Sequence, residues 1–340
     1  MRVFASLLLI LFLFIACGKE EEKPTNPVAE QPFGFIQPSH FPPPHYTFTN
    51  NPLTKSGFEL GRKLFFDPIL SIDNTLSCGT CHSQVHGFAD HGTAFSIGVN
   101  GAIGTRNSPA ISNMAWYPAF MWDGGINHIE IMPVAPITSP IEMKETMTNV
   151  VVKLLSDPVY PGLFNAAFGS SEVTDQKILF ALAQYMGNLV SSDSKYDRYI
   201  LGKESYTAQE TEGLNLFRTH CESCHNEPLT SDFTYRNNGL AGGYETDLGR
   251  YLITQEESDK GKFKVPSLRN VALTYPYMHD GRLFTLTAVI EHYSENLVTG
   301  ENTDPSLTPM NFTSSQKEAL IAFLQTLTDY TYISNPLYAE

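Results

Sequence analysis

The chain contains the pattern Cys-x-x-Cys-His twice, at residues 78–82 and again at residues 221–225. Two thiols one helical turn apart can each form a thioether with a vinyl group of one haem, and the next residue then lies beneath the iron as its proximal ligand. A zinc site or a thioredoxin-like dithiol also uses paired cysteines, but neither requires the histidine or a second copy of the pattern. The sequence therefore predicts a redox protein with two covalently attached c-type haems. Their attachment residues are Cys78, Cys81 and His82 for the first haem, and Cys221, Cys224 and His225 for the second.

The fifth cysteine, Cys17, lies at the end of an apolar N-terminal run. Residues 1–16 have a basic residue followed by an apolar stretch too short to span a bilayer comfortably, which are the proportions of a secretory signal. Ala16 before Cys17 is typical of a bacterial lipoprotein cleavage site, with a plain signal peptide as the alternative. Both interpretations predict export to the periplasm, where haem is attached. The lipoprotein interpretation adds contact with the membrane through a lipid on Cys17.

Composition and length suggest how the rest of the chain is divided. Residues 17–49 are rich in Lys, Glu and Pro without an apolar period, so we expect a flexible tether there. The remainder is long enough for two domains, which we place at residues 50–200 and 201–340. With 36 acidic and 22 basic residues the net charge is -14, so nucleic acid is not an expected partner. The acidity would attract a basic electron carrier, but it would equally keep an exported protein soluble.

Related segments precede the two haem motifs, with Gly-Arg-Lys-Leu-Phe at residues 61–65 and Gly-Leu-Asn-Leu-Phe at residues 213–217. Each is predicted to end a helix that leads into the haem loop. Capping boxes that begin at Thr207 and Thr313 predict helix starts. Two helical stripes are predicted to pack in the core: Leu320, Phe323, Leu324 and Leu327, and Ile178, Leu182, Tyr185 and Leu189. Alternating strand patterns are scarce, so the predicted fold is mostly α, with two cytochrome c-like helical domains.

Five further segments occur in the order found in bacterial dihaem cytochrome c peroxidases, which the chain resembles from about residue 56 to residue 327. They are Leu64-Phe65-Phe66-Asp67-Pro68, Arg106-Asn107-Ser108-Pro109, Trp122-Asp123-Gly124, Pro140-Ile141-Glu142-Met143 and Leu268-Arg269-Asn270-Val271. The MauG-type enzymes of methylamine utilisation share the same frame. The resemblance implies that the haem of His82 is the peroxide site and that the haem of His225 accepts electrons from a small cytochrome c or copper protein. It also implies a homodimer, because the family commonly dimerises.

The resemblance assigns roles to individual residues. Glu142 matches the family's catalytic glutamate, and a carboxylate is suited to moving a proton between the two oxygens of hydrogen peroxide. Without the resemblance, Glu142 would be one carboxylate among many. Trp122 matches the tryptophan between the haems, whereas Trp116 is expected to be a core residue. The family's calcium site matches Asn107, Thr274 and Pro276, and ligation by oxygen alone suits a hard cation.

Two departures from the family pattern concern the first haem. Val99 stands where many members have a distal histidine, and a valine cannot ligate iron. The first iron is therefore expected to rest open, unless His86 or His91 ligates it instead. Met132 stands where these peroxidases usually have a glutamine, which removes a hydrogen-bonding group beside the active site.

A third departure concerns the second haem, where Tyr293 occupies the position of the family's axial methionine. A thioether ligand raises a haem potential, whereas a phenolate lowers it and stabilises higher oxidation states, which is the MauG-type pattern. The alternative ligands are His292, Met278 and Met310. His279 matches a family motif, but the sequence suggests no role for it.

The sequence therefore favours a peroxidase that reduces hydrogen peroxide to water. Its electrons would come from a small periplasmic carrier, enter at the C-terminal haem and pass to the N-terminal haem. Tyr293 favours the alternative, a MauG-type enzyme that withdraws electrons from a substrate protein, although no feature identifies such a substrate. A non-enzymatic dihaem electron carrier would need two six-coordinate irons, and Val99 argues against that.

Overall fold

The computed structural model describes residues 33–242 and 245–340, in which helices and loops dominate. The α-helices are α1 (Lys55–Phe66), α2 (Cys78–Cys81), α3 (Val134–Thr138), α4 (Met147–Ser156), α5 (Tyr160–Phe168), α6 (Asp175–Gly187), α7 (Lys195–Ile200), α8 (Ala208–His220), α9 (Tyr251–Thr254), α10 (Leu286–Glu295), α11 (Ser314–Gln325) and α12 (Tyr330–Ile333). Strand β1 (Tyr235–Arg236) pairs antiparallel with β2 (Phe263–Lys264). The predicted, mostly helical fold is confirmed. None of the described helices has the length and apolar character needed to cross a membrane. The predicted signal, Cys17 and the first part of the tether lie outside the described residues.

Two helix pairs repeat the same packing, α1 against α6 and α8 against α11. A Cβ atom on Gly61 would lie 1.9 Å from the carbonyl oxygen of Ala181, and a Cβ atom on Gly213 would lie 1.9 Å from that of Ala319. No side chain larger than hydrogen fits at either crossing. The glycines of the two related segments are therefore the points of closest contact in their helix pairs, and both segments lie at the ends of helices, as predicted.

The predicted helix starts and core stripes are confirmed. Capping boxes at Thr207 and Thr313 open α8 and α11. The stripe that begins on α6 is fully buried through Leu189, and the four residues of the stripe that begins on α11 and ends at Leu327 are at most 8% exposed. These apolar faces hold each helix pair together, and Leu320 and Leu324 line the cavity that contains the second haem motif.

Residues 34–48, which we call the strap, pack onto the protein. Phe41 and Phe48 are 4% and 6% exposed, and Phe41 contacts Trp116 and Leu229. The prediction that the flexible tether reaches residue 49 is therefore wrong for this part of the chain. Aromatic side chains among the prolines become buried here without forming a helix or strand, so no periodic pattern marks the segment.

Residues 330–338, which we call the tail, follow α11 but pack against the first half of the chain. The hydroxyl of Tyr332 donates a hydrogen bond to the carbonyl oxygen of Ile111. The side-chain amide of Gln84 donates to the carbonyl oxygens of Tyr332 and Asn335, at 3.1 and 2.9 Å. Residues 34–340 form one compact unit. The two domains at 50–200 and 201–340 stay a prediction, because the tail crosses from one to the other.

Candidate haem centres

The first haem motif forms α2 and the residue that follows it. The Nδ1 atom of His82 donates a hydrogen bond to the carbonyl oxygen of Phe88 at 2.9 Å, which leaves Nε2 to bind iron. Burial lowers the pKa of His82, so the imidazole is neutral, as metal ligation requires. Gly87 and Phe88 both have positive φ and turn the chain back towards the histidine. Phe65 from α1 lies beside the ring of His82, with 6.4 Å between the ring centroids.

The second motif repeats this arrangement. The Nδ1 atom of His225 donates to the carbonyl oxygen of Thr230 at 3.0 Å, and burial lowers the pKa of this histidine as well. Thr230, like Phe88, has a positive φ. The sequence did not reveal these carbonyl partners, which come from a turn five or six residues after each histidine. Both centres therefore hold a neutral, oriented imidazole beside two cysteines, and this donor set fits a c-type haem.

Glu142 and Val99 lie together at the first centre. The backbone N–H of Val99 donates to the carbonyl oxygen of Glu142 at 2.9 Å, and Val99 is 2% exposed. Burial raises the pKa of Glu142 above its ordinary value. Burial also raises the pKa of the Cys81 thiol to about 11, and the Glu142 carboxylate adds to this increase. The carboxylate is therefore close to the cysteine of the first haem motif.

The two histidines considered as substitute ligands pair with each other. The rings of His86 and His91 stack with centroids 3.6 Å apart, and His91 also contacts the ring of Tyr275. Both lie on the loop after His82. Their ligation of the first iron stays a prediction. Met132 is 9% exposed and belongs to the buried core.

The second centre lies in a cavity that contains all three residues of its haem motif. Tyr293 and Met278 line the same cavity. The side-chain N–H groups of Asn238 contact both of them, at 3.4 Å from the Tyr293 hydroxyl oxygen and 3.3 Å from the Met278 sulfur. Burial raises the pKa of Tyr293 to about 12, so the phenol keeps its proton unless a metal replaces it. Asn238 is a site residue that carried no sequence signal.

The alternative ligands of the second iron differ in position. Met310 lines the cavity together with Tyr293 and Met278. His292 is 4% exposed, and its Nε2 atom donates to the carbonyl oxygen of Asn238 at 3.0 Å. This hydrogen bond occupies the nitrogen that would otherwise bind a metal, which favours Tyr293 over His292. His279 also lines the cavity, where its ring stacks on Phe263 at 3.7 Å.

Trp122 and the predicted calcium ligands Asn107, Thr274 and Pro276 all line the second cavity. The indole N–H of Trp122 donates to the backbone carbonyl of Asn107 at 2.8 Å. The side-chain N–H groups of Asn107 donate to the carbonyl oxygen of Ala94 at 3.2 Å, which turns Oδ1 away from that carbonyl. Over the described ranges, no three His, Cys, Asp or Glu side chains group as a metal site. A cation here would depend on amide and carbonyl oxygens, as the calcium prediction requires.

An ion-pair network fixes the segments that carry Asn107 and Trp122. Arg106 contacts Asp123 and Asp247, each with an N–O distance of 2.6 Å. Arg106 and Asp123 lie within the segments that carry the family resemblance, whereas nothing in the sequence pointed to Asp247. Arg106 precedes Asn107 in the chain and Asp123 follows Trp122, so their ion pair holds the two segments together.

Comparisons with known proteins agree with this geometry. The family model described as di-haem cytochrome c peroxidase matches residues 55–205. The methylamine utilization protein MauG of Methylorubrum extorquens is 36% identical over 285 residues, 82% of this chain and 79% of that protein. The cytochrome c551 peroxidase of Nitrosomonas europaea is 37% identical over 275 residues, 79% of each chain. A crystal structure of a MauG-like protein associated with microbial copper homeostasis superposes with a TM-score of 0.84 and 32% identity, covering 90% of this chain and 99% of that one.

Proposed function

Because the chain belongs to the di-haem cytochrome c peroxidase family, we propose that it is an exported peroxidase that reduces hydrogen peroxide to water. The family includes proteins named peroxidase and proteins named MauG, so two c-type haems and oxidoreductase chemistry are common to both. The choice of peroxidase rests on one observation. The half-buried Glu142, whose pKa is raised, has its carboxylate close to Cys81 and accepts a backbone hydrogen bond from Val99, whose side chain cannot ligate an iron.

The residues of the first centre can carry out the proton transfer that peroxide cleavage needs. When bound, a haem supplies an iron that binds peroxide and exchanges electrons. The carboxylate of Glu142 would take the proton from the near oxygen of peroxide and deliver it to the far oxygen, which leaves as water. Two electrons and two further protons complete the conversion of one peroxide to two waters. A carboxylate with a raised pKa is suited to this task, because it holds a transferred proton more readily than an ordinary glutamate does.

The residues of the second centre are arranged to receive and pass on electrons. A small cytochrome c or copper protein would deliver electrons to the haem of His225. Trp122 would then relay them towards the haem of His82, because its indole lies in the wall of the second cavity. The hydrogen bond to Asn107 fixes the indole, and a calcium ion on Asn107, Thr274 and Pro276 would hold the same backbone.

The test is low-temperature electron paramagnetic resonance of the fully oxidised protein, followed by peroxide without reductant and then by steady-state turnover with a reduced carrier. We expect a high-spin ferric signal that peroxide consumes, and oxidation of two carrier molecules for each peroxide. Two low-spin signals that do not respond to peroxide would instead indicate a closed first iron and would favour a non-enzymatic carrier.

Tyr293 at the second cavity supports an alternative, MauG-type oxidation of a substrate protein. A phenolate ligand would stabilise the oxidised haem pair and favour withdrawal of electrons from a donor protein. Peroxide-treated protein would be mixed with candidate partner proteins without a carrier, and the partners would be examined by mass spectrometry. Oxidation of a partner residue together with slow carrier turnover would favour this function over the peroxidase.

The site of action is part of the proposal. Export to the periplasm, a lipid on Cys17 and a homodimer follow from the sequence interpretation and the family. Mass spectrometry of the mature protein should find an acylated N-terminal Cys17. An unmodified N-terminus at another residue would overturn the lipid anchor and leave the peroxidase proposal untouched.

A further inference from the structure

The strap carries a histidine that enters a buried charge network. The Nε2 atom of His40 lies 2.8 Å from Oδ1 of Asp197, and the two side chains are 9% and 0% exposed. The other carboxylate oxygen of Asp197 pairs with the guanidinium of Arg269, which is 1% exposed. Burial alone would raise the pKa of Asp197, but Arg269 and His40 hold it well below its usual range. The carboxylate is therefore charged, and besides its local hydrogen bonds from Ser194 it has two partners from distant parts of the sequence.

Arg269 extends this network to the proximal loop of the second haem, residues 227–230. One Nη atom of Arg269 donates to the carbonyl oxygen of Pro228 at 3.1 Å. Two residues further on, the carbonyl oxygen of Thr230 accepts the hydrogen bond from Nδ1 of His225. Thr230 has a φ of 54°, which a threonine rarely adopts unless its surroundings impose it. The loop therefore needs external contacts to keep its carbonyl aimed at the proximal imidazole.

The strap also packs directly on this loop. Phe41 lies in one apolar cluster with Leu229 and Trp116, and the guanidinium of Arg269 lies 5.1 Å from the centroid of the Phe41 ring. The indole N–H of Trp116 donates to the carbonyl oxygen of Pro42 at 2.7 Å, which holds the strap to the first half of the chain. The strap thus connects the N-terminal half to the loop that orients His225.

We propose that His40 is a positioning residue for the second haem, acting through Asp197 and Arg269 on the loop that fixes the proximal His225. A hydrogen bond from Nδ1–H to a carbonyl oxygen makes the imidazole a stronger ligand and stabilises ferric iron. Loss of the contact from His40 should loosen the loop and weaken this bond, so the second haem should become easier to reduce. The inference rests on the proposed haem of His225 and its role in electron entry, but not on peroxide turnover.

The experiment is a redox titration of the haem-loaded protein followed by electron paramagnetic resonance, in which each ferric signal is followed to its own midpoint. The second haem is identified as the one whose signal changes in Tyr293→Met. His40→Phe keeps a ring against Phe41, which the imidazole contacts at 4.7 Å, but lacks the nitrogen. His40→Gln keeps a donor for Asp197. His45→Ala alters an exposed histidine of the same strap and is the matched control.

We expect His40→Phe to move the midpoint of the second haem to a more positive potential while the first haem keeps its own. His40→Gln should restore most of the shift, and His45→Ala should move neither midpoint. Unchanged midpoints in His40→Phe, or equal shifts at both haems, would overturn the proposal, the latter because it would indicate general loosening. Failure of the peroxidase proposal would leave these midpoints unaffected, so the two failures are distinguishable.

Discussion

The two haem centres have similar supports around their proximal histidines and differ in the other side chains that lie near each motif. Each is reached by a helix whose glycine contacts a second helix, and each presents a histidine whose Nδ1 atom is bonded to a carbonyl oxygen of a turn with positive φ. Near these similar supports, the first centre has Glu142 close to Cys81 with Val99 bonded to its backbone, whereas Tyr293 and Met278 line the cavity of the second. The support of the haem motif is thus repeated, and the proposed difference in chemistry rests on a few other side chains near each motif.

Each proximal loop is also contacted by a segment from the other half of the sequence. The strap, at the N-terminal end of the described residues, packs on the loop that orients His225. The tail, at the C-terminal end, packs on the loop that orients His82, where Tyr332 contacts the ring of Phe88 at 5.5 Å. Each proximal loop is therefore braced by a segment from the opposite half of the sequence, and neither centre is complete within its own half.

The largest effect is expected at the residue that separates the two centres chemically. Glu142→Gln should lower peroxide turnover by about 10²–10⁴-fold, because an amide cannot relay the proton. Both haems should remain attached, which their absorption spectra would verify. Glu59→Gln, at an exposed position of α1, is the matched control and should keep full turnover. Normal turnover in Glu142→Gln would remove this chemical distinction between the centres.

The pH dependence of peroxide turnover provides a second test of Glu142. The ionised form of Glu142 accepts the proton, and burial raises its pKa, so turnover should fall at a higher pH than for an ordinary glutamate as the solution is acidified. The raised pKa of Glu142 affects the stability of the fold in the opposite direction: acidification lowers turnover but favours the folded state. A raised folded-state pKa stabilises the fold below the unfolded-state pKa, and this contribution is lost as pH rises through the folded-state value. Glu142→Gln should therefore unfold at neutral pH at a temperature no lower than the natural protein.

An added methyl group at either of the two helix crossings should lower the stability of the protein by a similar amount. Gly61→Ala and Gly213→Ala each place a Cβ 1.9 Å from a backbone oxygen, and each should cost about 1–3 kcal/mol or more of stability. Gly162→Ala, in α5, meets no atom within 4 Å and should be stabilising. Thermal unfolding of the three haem-loaded variants would measure this, and a large difference between the first two would show that the two scaffolds are not equivalent.

Changing the ligand of the second iron should alter the midpoint potential of the second haem alone. Tyr293→Met should raise the midpoint of the second haem, because a thioether replaces a phenolate, and should leave the first haem unchanged. His292→Gln keeps a donor to the Asn238 carbonyl and should leave both midpoints unchanged. Should His292→Gln instead change the spectrum of the second haem while Tyr293→Met does not, the ligand assignment would pass to His292.

The smallest effects are expected at the N-caps of the paired helices. Thr54→Ala and Thr207→Ala remove the hydroxyls that cap α1 and α8, each at a cost of about 1 kcal/mol. Thr207→Ala keeps the backbone N–H that donates to the Glu210 carboxylate in a reciprocal capping box, so this loss should be the smaller of the two. Serine at either position should restore the melting temperature, and an equal loss at both would show that the reciprocal bond contributes little.

Local patterns in the sequence predicted much of this architecture. The repeated Gly-x-x-x-Phe segments, the capping boxes and the apolar stripes of α6 and α11 depend on neighbouring residues, so each could be read directly. The positions of Glu142 and Tyr293 were obtained from the family resemblance. Their roles as proton carrier and ligand stay predictions, although the structure places both beside the expected haem motifs.

Long-range contacts were beyond such patterns. Phe41 and His40 lie among prolines in a segment without periodicity, and their partners Asp197 and Arg269 are more than 150 residues away. Asn238 and the carbonyl oxygens of Phe88 and Thr230 became visible only when the backbone turns were known.

The crossing of the tail sets an order of assembly. The first haem motif is synthesised about 140 residues before the second, yet its proximal loop acquires the contact from Tyr332 only when residues 330–338 have been made. A nascent chain can therefore present Cys78 and Cys81 to the attachment machinery while that wall is still missing. The loop of the centre proposed to meet peroxide therefore gains this contact only after the half proposed to receive electrons has been synthesised, so an unfinished chain lacks part of the wall of the first centre.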